Sequence, residues 1–332
     1  MTRPIILFSG QWTDLALEEL APRVSEWGYQ GLELCCWGGH FDLQAASRED
    51  SYFQKKLNFL SGHDLTAPVL GTHRIGQAVC DNIEDRHRTI LSEQLWGEGN
   101  PEAIQKRASE EMKNAARVAQ KMGVATVSGF TGSSLWASVL GYPAATPALV
   151  EKGFQHFVAQ WNPILDVFGD CGVRYAFEVH PGQIAFDLYS AEMALDALGG
   201  REEFGFTFDP SHLFWQGVDP VEFLRRFPDR IYHVHVKDIA LSLNGRSGLL
   251  GSYLPYADPR RGWDFRSPGR GGLDWESIIR TLNDIGYGGP LSVEWGDRRM
   301  DREQGAEEAF RFVKRLDFEP ARRNIGPAFR ES

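Results

Sequence analysis

The chain has 332 residues, 42% of them hydrophobic and 24% charged, which is material for a large core in an ordinary globular protein. A formal net charge of -10 argues against a nucleic-acid backbone or an anionic membrane as the main partner. No apolar run has the length of a membrane span or a signal-peptide core, and Cys35, Cys36, Cys80 and Cys171 show no CxxC spacing, so reduced thiols in a cytoplasmic protein are expected.

In chain order, short β-branched or aromatic runs alternate with longer amphipathic stretches. Strands are predicted at residues 5–8, 31–34, 66–70, 126–128, 174–178, 205–209, 231–236 and 291–294. Helices are predicted between and after them, at 15–27, 48–60, 101–122, 149–168, 191–198, 220–227, 275–285 and 303–316. Asp219-Pro220 opens one helix, and Gly286 and Gly288 punctuate the end of another. Eight strand–helix units without a linker predict one domain over residues 1–332, an α/β fold closed as a (β/α)8 TIM barrel. Three connections, 71–100, 129–146 and 239–272, are too long for turns. Each follows a strand and therefore lies on the C-terminal face, where barrels build their active sites. The third, rich in Arg, Gly and aromatics, reads as a substrate lid, a docking surface for a partner subunit, or a loop shaped by its own packing.

Four strand ends carry the chemistry: FEVHP (177–181), FTFDPSH (206–212), HVHVKD (233–238) and SVEWGD (292–297). Side chains alternate with period two along a strand. Glu178 and His180 therefore share a face, as do His233, His235 and Lys237, whereas Asp238 should point the other way. Burying an ionisable group in an apolar strand is costly unless it is paired or binds metal. One such group is most often half of an ion pair. Four at successive strand ends are explained by convergence of Glu178, Asp209, His235 and Glu294 at one mouth. Three carboxylates and one imidazole suit a single divalent ion, Mn²⁺ first and Mg²⁺ or Co²⁺ otherwise, better than a sulfur- or histidine-dominated zinc site. Such an ion polarises a carbonyl, and the carboxylates beside it can move a proton from the adjacent carbon.

These strand ends resemble the xylose isomerase-like barrel superfamily, which includes sugar phosphate isomerases and epimerases and AP endonuclease family 2. The resemblance spans most of the chain and is specific from Val124 onward. It implies Glu178, Asp209, His235 and Glu294 as metal ligands, Glu178 and Glu294 as an acid/base pair, and His212 as a contact to substrate hydroxyls. Ketose 3-epimerases of the superfamily carry a further Glu and a further Arg where this chain has Ile184 and Leu241. In their place it offers His180, Lys237 and, in THRIGQAVCD, His73. His180 is a candidate catalytic acid/base, or else a structural histidine bonded to a neighbouring carboxylate. The endonuclease branch needs a histidine after the His-x-His strand, and none follows His235. The EVHP, DPSH and RGWDF segments are similar to the catalytic subunits of C-glycoside deglycosidases. That resemblance implies β-elimination from a 3-oxo-glycoside and a smaller partner subunit.

The expected activity is thus a metal-dependent isomerase or epimerase acting on a keto- or oxidised sugar. A lyase for 3-oxo-glycosides is the alternative, and a non-catalytic sugar- or protein-binding barrel a third reading. The expected ligand is a sugar or glycoside, contacted by His212, His73, Lys237 and Trp37, with Trp136, Trp215, Trp263 and Trp295 also near the C-terminal face. Arg246, Arg260, Arg261, Arg266 and Arg270 offer a phosphate contact, although no glycine-rich phosphate loop accompanies them. A homo-oligomer, or a hetero-oligomer with a smaller subunit, is expected.

Overall fold

Among the described residues, eight of the ten strands pair in parallel because each is a short run buried on both faces, as a strand between a barrel lumen and a helical coat must be. A computed structural model describes residues 3–320. The strands are β1 (Ile5–Phe8), β2 (Gly31–Cys35), β3 (Thr66–Gly71), β4 (Thr126–Gly129), β5 (Arg174–Glu178), β6 (Phe204–Phe208), β7 (Ile231–Val236), β8 (Asp238–Leu241), β9 (Trp263–Arg266) and β10 (Leu291–Val293). All but β8 and β9 form one closed barrel in the order β1-β10-β7-β6-β5-β4-β3-β2. The eight strands predicted from sequence are these eight, shifted by a residue or two at some ends. Among the described helices none is long and apolar enough to cross a membrane.

Alternation along the strands sorts the side chains. Outward-facing aromatics meet the helices: Tyr175 stacks on Trp161 with centroids 4.7 Å apart, and Phe206 packs edge-on against Phe223 and Phe227 at 5.4 and 5.0 Å. Into the lumen point Glu33, Ser128, Thr207, His233, His235 and Ser292, all without solvent exposure. Ser128 Oγ and Thr207 Oγ1 are 2.8 Å apart. The register sets Ser292 beside His235 and Thr207 beside His233. The lumen near the mouth is therefore a hydrogen-bonded polar core, and it leads directly into the ionisable groups above it.

Two of the long connections hold structure that their sequence does not advertise. Residues 71–100 begin with a helix, His73–Cys80, so His73 sits at a helix start and not in a loop. That helix is short and carries Gly76, a poor helix former. The glycine is required by packing, since a Cβ there would lie 1.9 Å from the Phe130 carbonyl oxygen. Residues 239–272 fold back as an antiparallel hairpin in which β8 pairs with β9, Ile239 opposite Phe265 and Leu241 opposite Trp263.

Asp238 ties that hairpin down. As the alternation requires, it points away from His235 and Lys237. Its Oδ2 accepts from the backbone N–H of Gly269 (2.8 Å) and Gly271 (3.2 Å) and from Trp275 Nε1 (3.0 Å), while Oδ1 accepts from Ile239 N (2.8 Å). Gly271 permits this approach, because a Cβ there would fall 1.9 Å from Asp238 Oδ1. Removing the carboxylate strands several buried donors at about 1–3 kcal/mol each. Asp238→Ala should therefore destabilise the protein by roughly 3–5 kcal/mol, an unusually large single-site effect. Gly271→Ala should act in the same direction. Urea denaturation followed by circular dichroism measures both, and limited proteolysis should find residues 239–272 newly cleavable in either variant.

Candidate metal centre

Each proposed ligand is delivered by the end of its strand. Glu178 is the last residue of β5, Asp209 follows β6, His235 is the penultimate residue of β7 and Glu294 follows β10. Asp209 is held by its second role as a helix cap, Oδ1 accepting from Ser211 N at 2.8 Å, which leaves Oδ2 free. One ligating atom from each of the four residues lies within 4.8 Å of those of the others, and all four residues are buried. Asp209 Oδ2, Glu294 Oε2 and His235 Nδ1 have no hydrogen bond. His235 Nδ1 and Glu294 Oε2 nonetheless face each other at 3.0 Å. Buried polar atoms without partners are rare and call for an explanation. Three converging on one point are explained by a cation among them, and a set of three carboxylates and one imidazole fits a hard divalent ion.

The neighbours supply the remaining charge. Lys237 Nζ donates to Glu294 Oε1 at 2.7 Å, lies 3.8 Å from Asp209 Oδ2 and sits 4.5 Å from the Phe265 ring centroid. Gln11 Nε2 donates to the same Glu294 oxygen at 2.8 Å. Burial alone would discharge Lys237, but Glu294 and Asp209 outweigh it and raise its pKa, so it remains an ammonium. Burial likewise pushes the carboxyls of Glu294 and Asp209 up. Lys237 with His235 for the first, and His212 with Lys237 for the second, reverse this and hold both ionised.

The histidines divide by position. His212 Nε2 lies 3.2 Å from Asp209 Oδ2, 3.4 Å from Glu178 Oε1 and 3.3 Å from Lys237 Nζ. His73 Nε2 lies 2.9 Å from Glu178 Oε2 without hydrogen-bond alignment. The His180 ring rests on His212, centroids 3.9 Å apart, and its Nδ1–H donates to the Pro181 carbonyl. A carbonyl can only accept, so His180 Nε2 carries the lone pair. Burial first, then the nearby His212 and Lys237, lower the His180 pKa well below the ordinary value, and the ring is neutral.

Beneath His235 lies a group that the sequence reading passed over. Glu33 on β2 is fully buried, and its Oε2 faces His233 Nε2 at 2.8 Å, His235 Nε2 at 3.0 Å and Ser292 Oγ at 2.7 Å. Burial raises its pKa, but His235 and His233 prevail and hold it ionised. The signal was present: Glu33 is the one charged residue in the run GLELC, and the cost argument used for the strand ends applies to it equally.

A cavity of about 460 Å³ opens above these groups, within the range of small-ligand sites. His180, His212, Lys237 and Glu294 form its floor, with Phe265 and Tyr256 from the 239–272 segment on one wall. Trp37 lines a neighbouring cavity of about 270 Å³ beside Arg74, with its ring edge-on to His73 at 6.1 Å. Trp295 lines the site, while Trp215 stacks on Trp263 at 4.9 Å behind that wall. Four of the five arginines singled out from sequence are used structurally: Arg260 pairs with Asp258, Arg266 with Asp264 and Arg270 with Glu308, and Arg261 donates to the Leu254 carbonyl. Arg298 and Arg302 reach the cavity instead. Ile184 is buried and Leu241 lies exposed on the hairpin, so neither position restores the epimerase-type Glu and Arg.

Comparison with known proteins agrees with this architecture. The chain is 36% identical over 87 residues to an inosose dehydratase of Clostridium botulinum (strain Eklund 17B / Type B), a match covering 26% of this chain and 28% of that protein. The chain spans about half, or less, of the length of curated relatives it matches. Among solved structures it resembles the probable 3-DHS dehydratase AsbF of Bacillus anthracis, with a TM-score of 0.67, 17% identity and coverage of 94% of this chain and 98% of that one. It also resembles the 3-keto-D-glucoside 4-epimerase YcjR of E. coli, with a TM-score of 0.65, 14% identity and coverage of 94% and 100%. At such identities the likeness speaks for the fold. A model of the xylose isomerase-like TIM barrel matches residues 21–316, and with its closed eight-stranded barrel the chain belongs to that family.

Proposed function

We propose that the protein is a divalent-metal-dependent enzyme that removes a proton next to the carbonyl of a keto- or oxidised sugar. The observation that carries this reading is the set of unpartnered atoms of Asp209, His235 and Glu294, gathered in one cluster next to the cavity that Glu294 lines. Glu178, Asp209, His235 and Glu294 are the proposed ligands, and Mn²⁺ is the proposed ion, with Mg²⁺ or Co²⁺ as substitutes. When bound, such an ion supplies Lewis-acid polarisation of the substrate oxygen and stabilises negative charge developing there.

The chain's own groups then have complementary tasks. His180 is neutral, with Nε2 as its free lone pair, and is the proposed base for the carbon-bound proton. Lys237, kept charged, is a proton and hydrogen-bond donor toward a departing or re-forming hydroxyl. His212, between Asp209 and Lys237, holds a substrate hydroxyl. Glu178 and Glu294 carry their second oxygens toward the same space and can exchange protons with the substrate. His73 orients Glu178. Phe265 and Trp295 offer apolar faces to the C–H side of a sugar ring.

A second reading, elimination in place of isomerisation, is favoured by two observations. Ile184 and Leu241 stand where the sequence resemblance puts the epimerase Glu and Arg, and the curated relatives include dehydratases. Proton removal is common to both reactions, and they differ in whether the second proton returns to carbon or goes to a leaving oxygen. The unpaired state of all four cysteines is in keeping with a reducing, cytoplasmic compartment.

Asp209→Asn and Glu294→Gln should each lower divalent-ion affinity at least tenfold while leaving the circular dichroism spectrum intact. Mn²⁺ calorimetry on chelator-treated protein measures this, and unchanged affinity in both would remove these residues from the ligand set. His180→Ala should lower kcat by about 10²- to 10⁴-fold with metal content near that of the unaltered protein. A metal-free His180→Ala protein would instead make His180 a ligand. With a panel of keto-sugars, inososes and 3-oxo-glycosides in deuterated water, recovered substrate or product should carry label at the carbon next to the carbonyl. Turnover with neither label nor a primary isotope effect on that C–H bond would exclude the proposed proton transfer.

A further inference from the structure

We propose that Glu33, with His233 and Ser292, is a positioning group that decides which ring nitrogen of His235 faces the ligand cluster and thereby sets the cluster's affinity for a divalent ion. This rests on the proposed metal-binding role of His235. Glu33 comes from β2, which pairs with β1 and β3 and not with β7, so its side chain reaches His235 through the lumen. A carboxyl oxygen that three N–H or O–H groups approach at once is their common acceptor. The three groups converging on Glu33 Oε2, at 2.7 to 3.0 Å, must therefore all donate: Ser292 Oγ–H, His233 Nε2–H and His235 Nε2–H.

That requirement is informative at His235. With the proton held on Nε2, Nδ1 is the nitrogen that faces the cluster, 3.0 Å from Glu294 Oε2 and 3.7 Å from Glu178 Oε2. A cation bound between those carboxylates would take that nitrogen, displacing any proton the unliganded ring holds there. The competing tautomer would carry its proton on Nδ1 and close on Glu294 as an ordinary hydrogen bond, removing two ligand atoms at once. Glu33 disfavours that closed arrangement, because it would lose its His235 donor. A ring flip is opposed by packing, since the His235 ring lies near-parallel to Phe8 (5.4 Å, 23°) and to His73 (5.7 Å, 29°). Groups that orient a ligating histidine through its other nitrogen typically change metal affinity by about 10- to 100-fold when removed.

The same geometry gives His233 a part outside the set of Glu178, Asp209, His235 and Glu294. Its ring stands edge-on to His235 at 5.1 Å, and its Nε2–H is the second donor that fixes the Glu33 oxygen in place. Glu33 Oε1 has no hydrogen bond, so a glutamine at this position can keep its amide oxygen at the Oε2 site and put its NH₂ where no donor is displaced. Glu33→Gln thus retains the acceptor and loses the charge. Glu33→Leu loses both.

The test combines Mn²⁺ calorimetry with ¹⁵N spectra of the histidine rings, His235 being assigned with a His235→Gln variant. In chelator-treated unaltered protein the His235 ring should carry a proton on Nε2, and in Glu33→Leu that proton should be absent from Nε2. Mn²⁺ affinity should fall about tenfold in Glu33→Gln and about 100-fold in Glu33→Leu, with far-ultraviolet circular dichroism unchanged. Should the leucine variant not fold, the glutamine variant decides alone. Affinity within twofold of the unaltered protein in Glu33→Gln, or an Nε2 proton that survives in Glu33→Leu, overturns the proposal. If the unaltered protein binds no divalent ion, the proposed function fails, and the ring spectra still show whether Glu33 controls the His235 tautomer.

Discussion

Three carboxylates, Glu178, Asp209 and Glu294, meet in a buried space from which water is largely excluded, and the mouth of the barrel is arranged around the need to balance them. Two unit charges 4 Å apart repel by about 4 kcal/mol at an effective permittivity of about 20. Three mutually close carboxylates therefore represent a large uncompensated cost unless cations join them. Lys237 supplies one, through Glu294 and Asp209. His212 Nε2 stands near Asp209 Oδ2 and His73 Nε2 near Glu178 Oε2. Asp209 Oδ2, Glu294 Oε2 and His235 Nδ1 nonetheless remain without a hydrogen bond. In the proposed function a divalent ion among these atoms would complete the balance.

The barrel tolerates this concentration of charge because its lumen is polar well below the mouth. Ser128 and Thr207 bond to each other, and Glu33 gathers His233, His235 and Ser292. Stability comes from the outer interface, where Tyr175, Phe177, Phe204 and Phe206 form aromatic contacts with one another and with the surrounding helices. Each strand thus does two jobs with alternate residues, packing outward and wiring inward. A buried polar network of this kind must be satisfied throughout to be tolerated, and once satisfied it specifies a single arrangement of its members.

The parts of this design that were legible in the sequence are those that repeat. Strand periodicity located the eight barrel strands, and the ionisable residues at four of their ends located the convergent cluster. The parity of HVHVKD also separated Lys237, which faces the site, from Asp238, which anchors the hairpin. What escaped has a physical reason in each case. The helix His73–Cys80 is short and contains a glycine whose purpose, the approach of the Phe130 carbonyl, is visible only in three dimensions. Arg260, Arg266 and Arg270 offered a phosphate contact from sequence, but each is paired with a carboxylate, Asp258, Asp264 and Glu308 respectively. Trp37 lies on the C-terminal side, yet it faces a different cavity. Glu33 was overlooked because it sits on the second strand, about 200 residues from the histidines it joins.

His180 and Lys237 illustrate how one charge distribution can set opposite protonation states a short distance apart. Lys237 touches carboxylates directly, and their attraction outweighs its desolvation. His180 touches His212 and lies near Lys237, so desolvation and like-charge repulsion act together to keep it neutral. In the proposed function a neutral imidazole and an ammonium at the floor of one cavity would serve as base and acid at the same pH, without either having to exchange its proton first. Such a pair does not by itself choose between isomerisation and elimination. If the substrate presents a hydrogen-bonded hydroxyl toward Lys237 on the carbon β to the carbonyl, the second proton reaches oxygen and the C–O bond breaks. If that position faces Phe265, which offers no proton, the proton must return to carbon from His180 or a carboxylate. The outcome is then decided by how the sugar is oriented between the polar floor and the aromatic wall, and this gives the hairpin tied down by Asp238 a part in the chemistry although none of its residues is proposed to touch the metal.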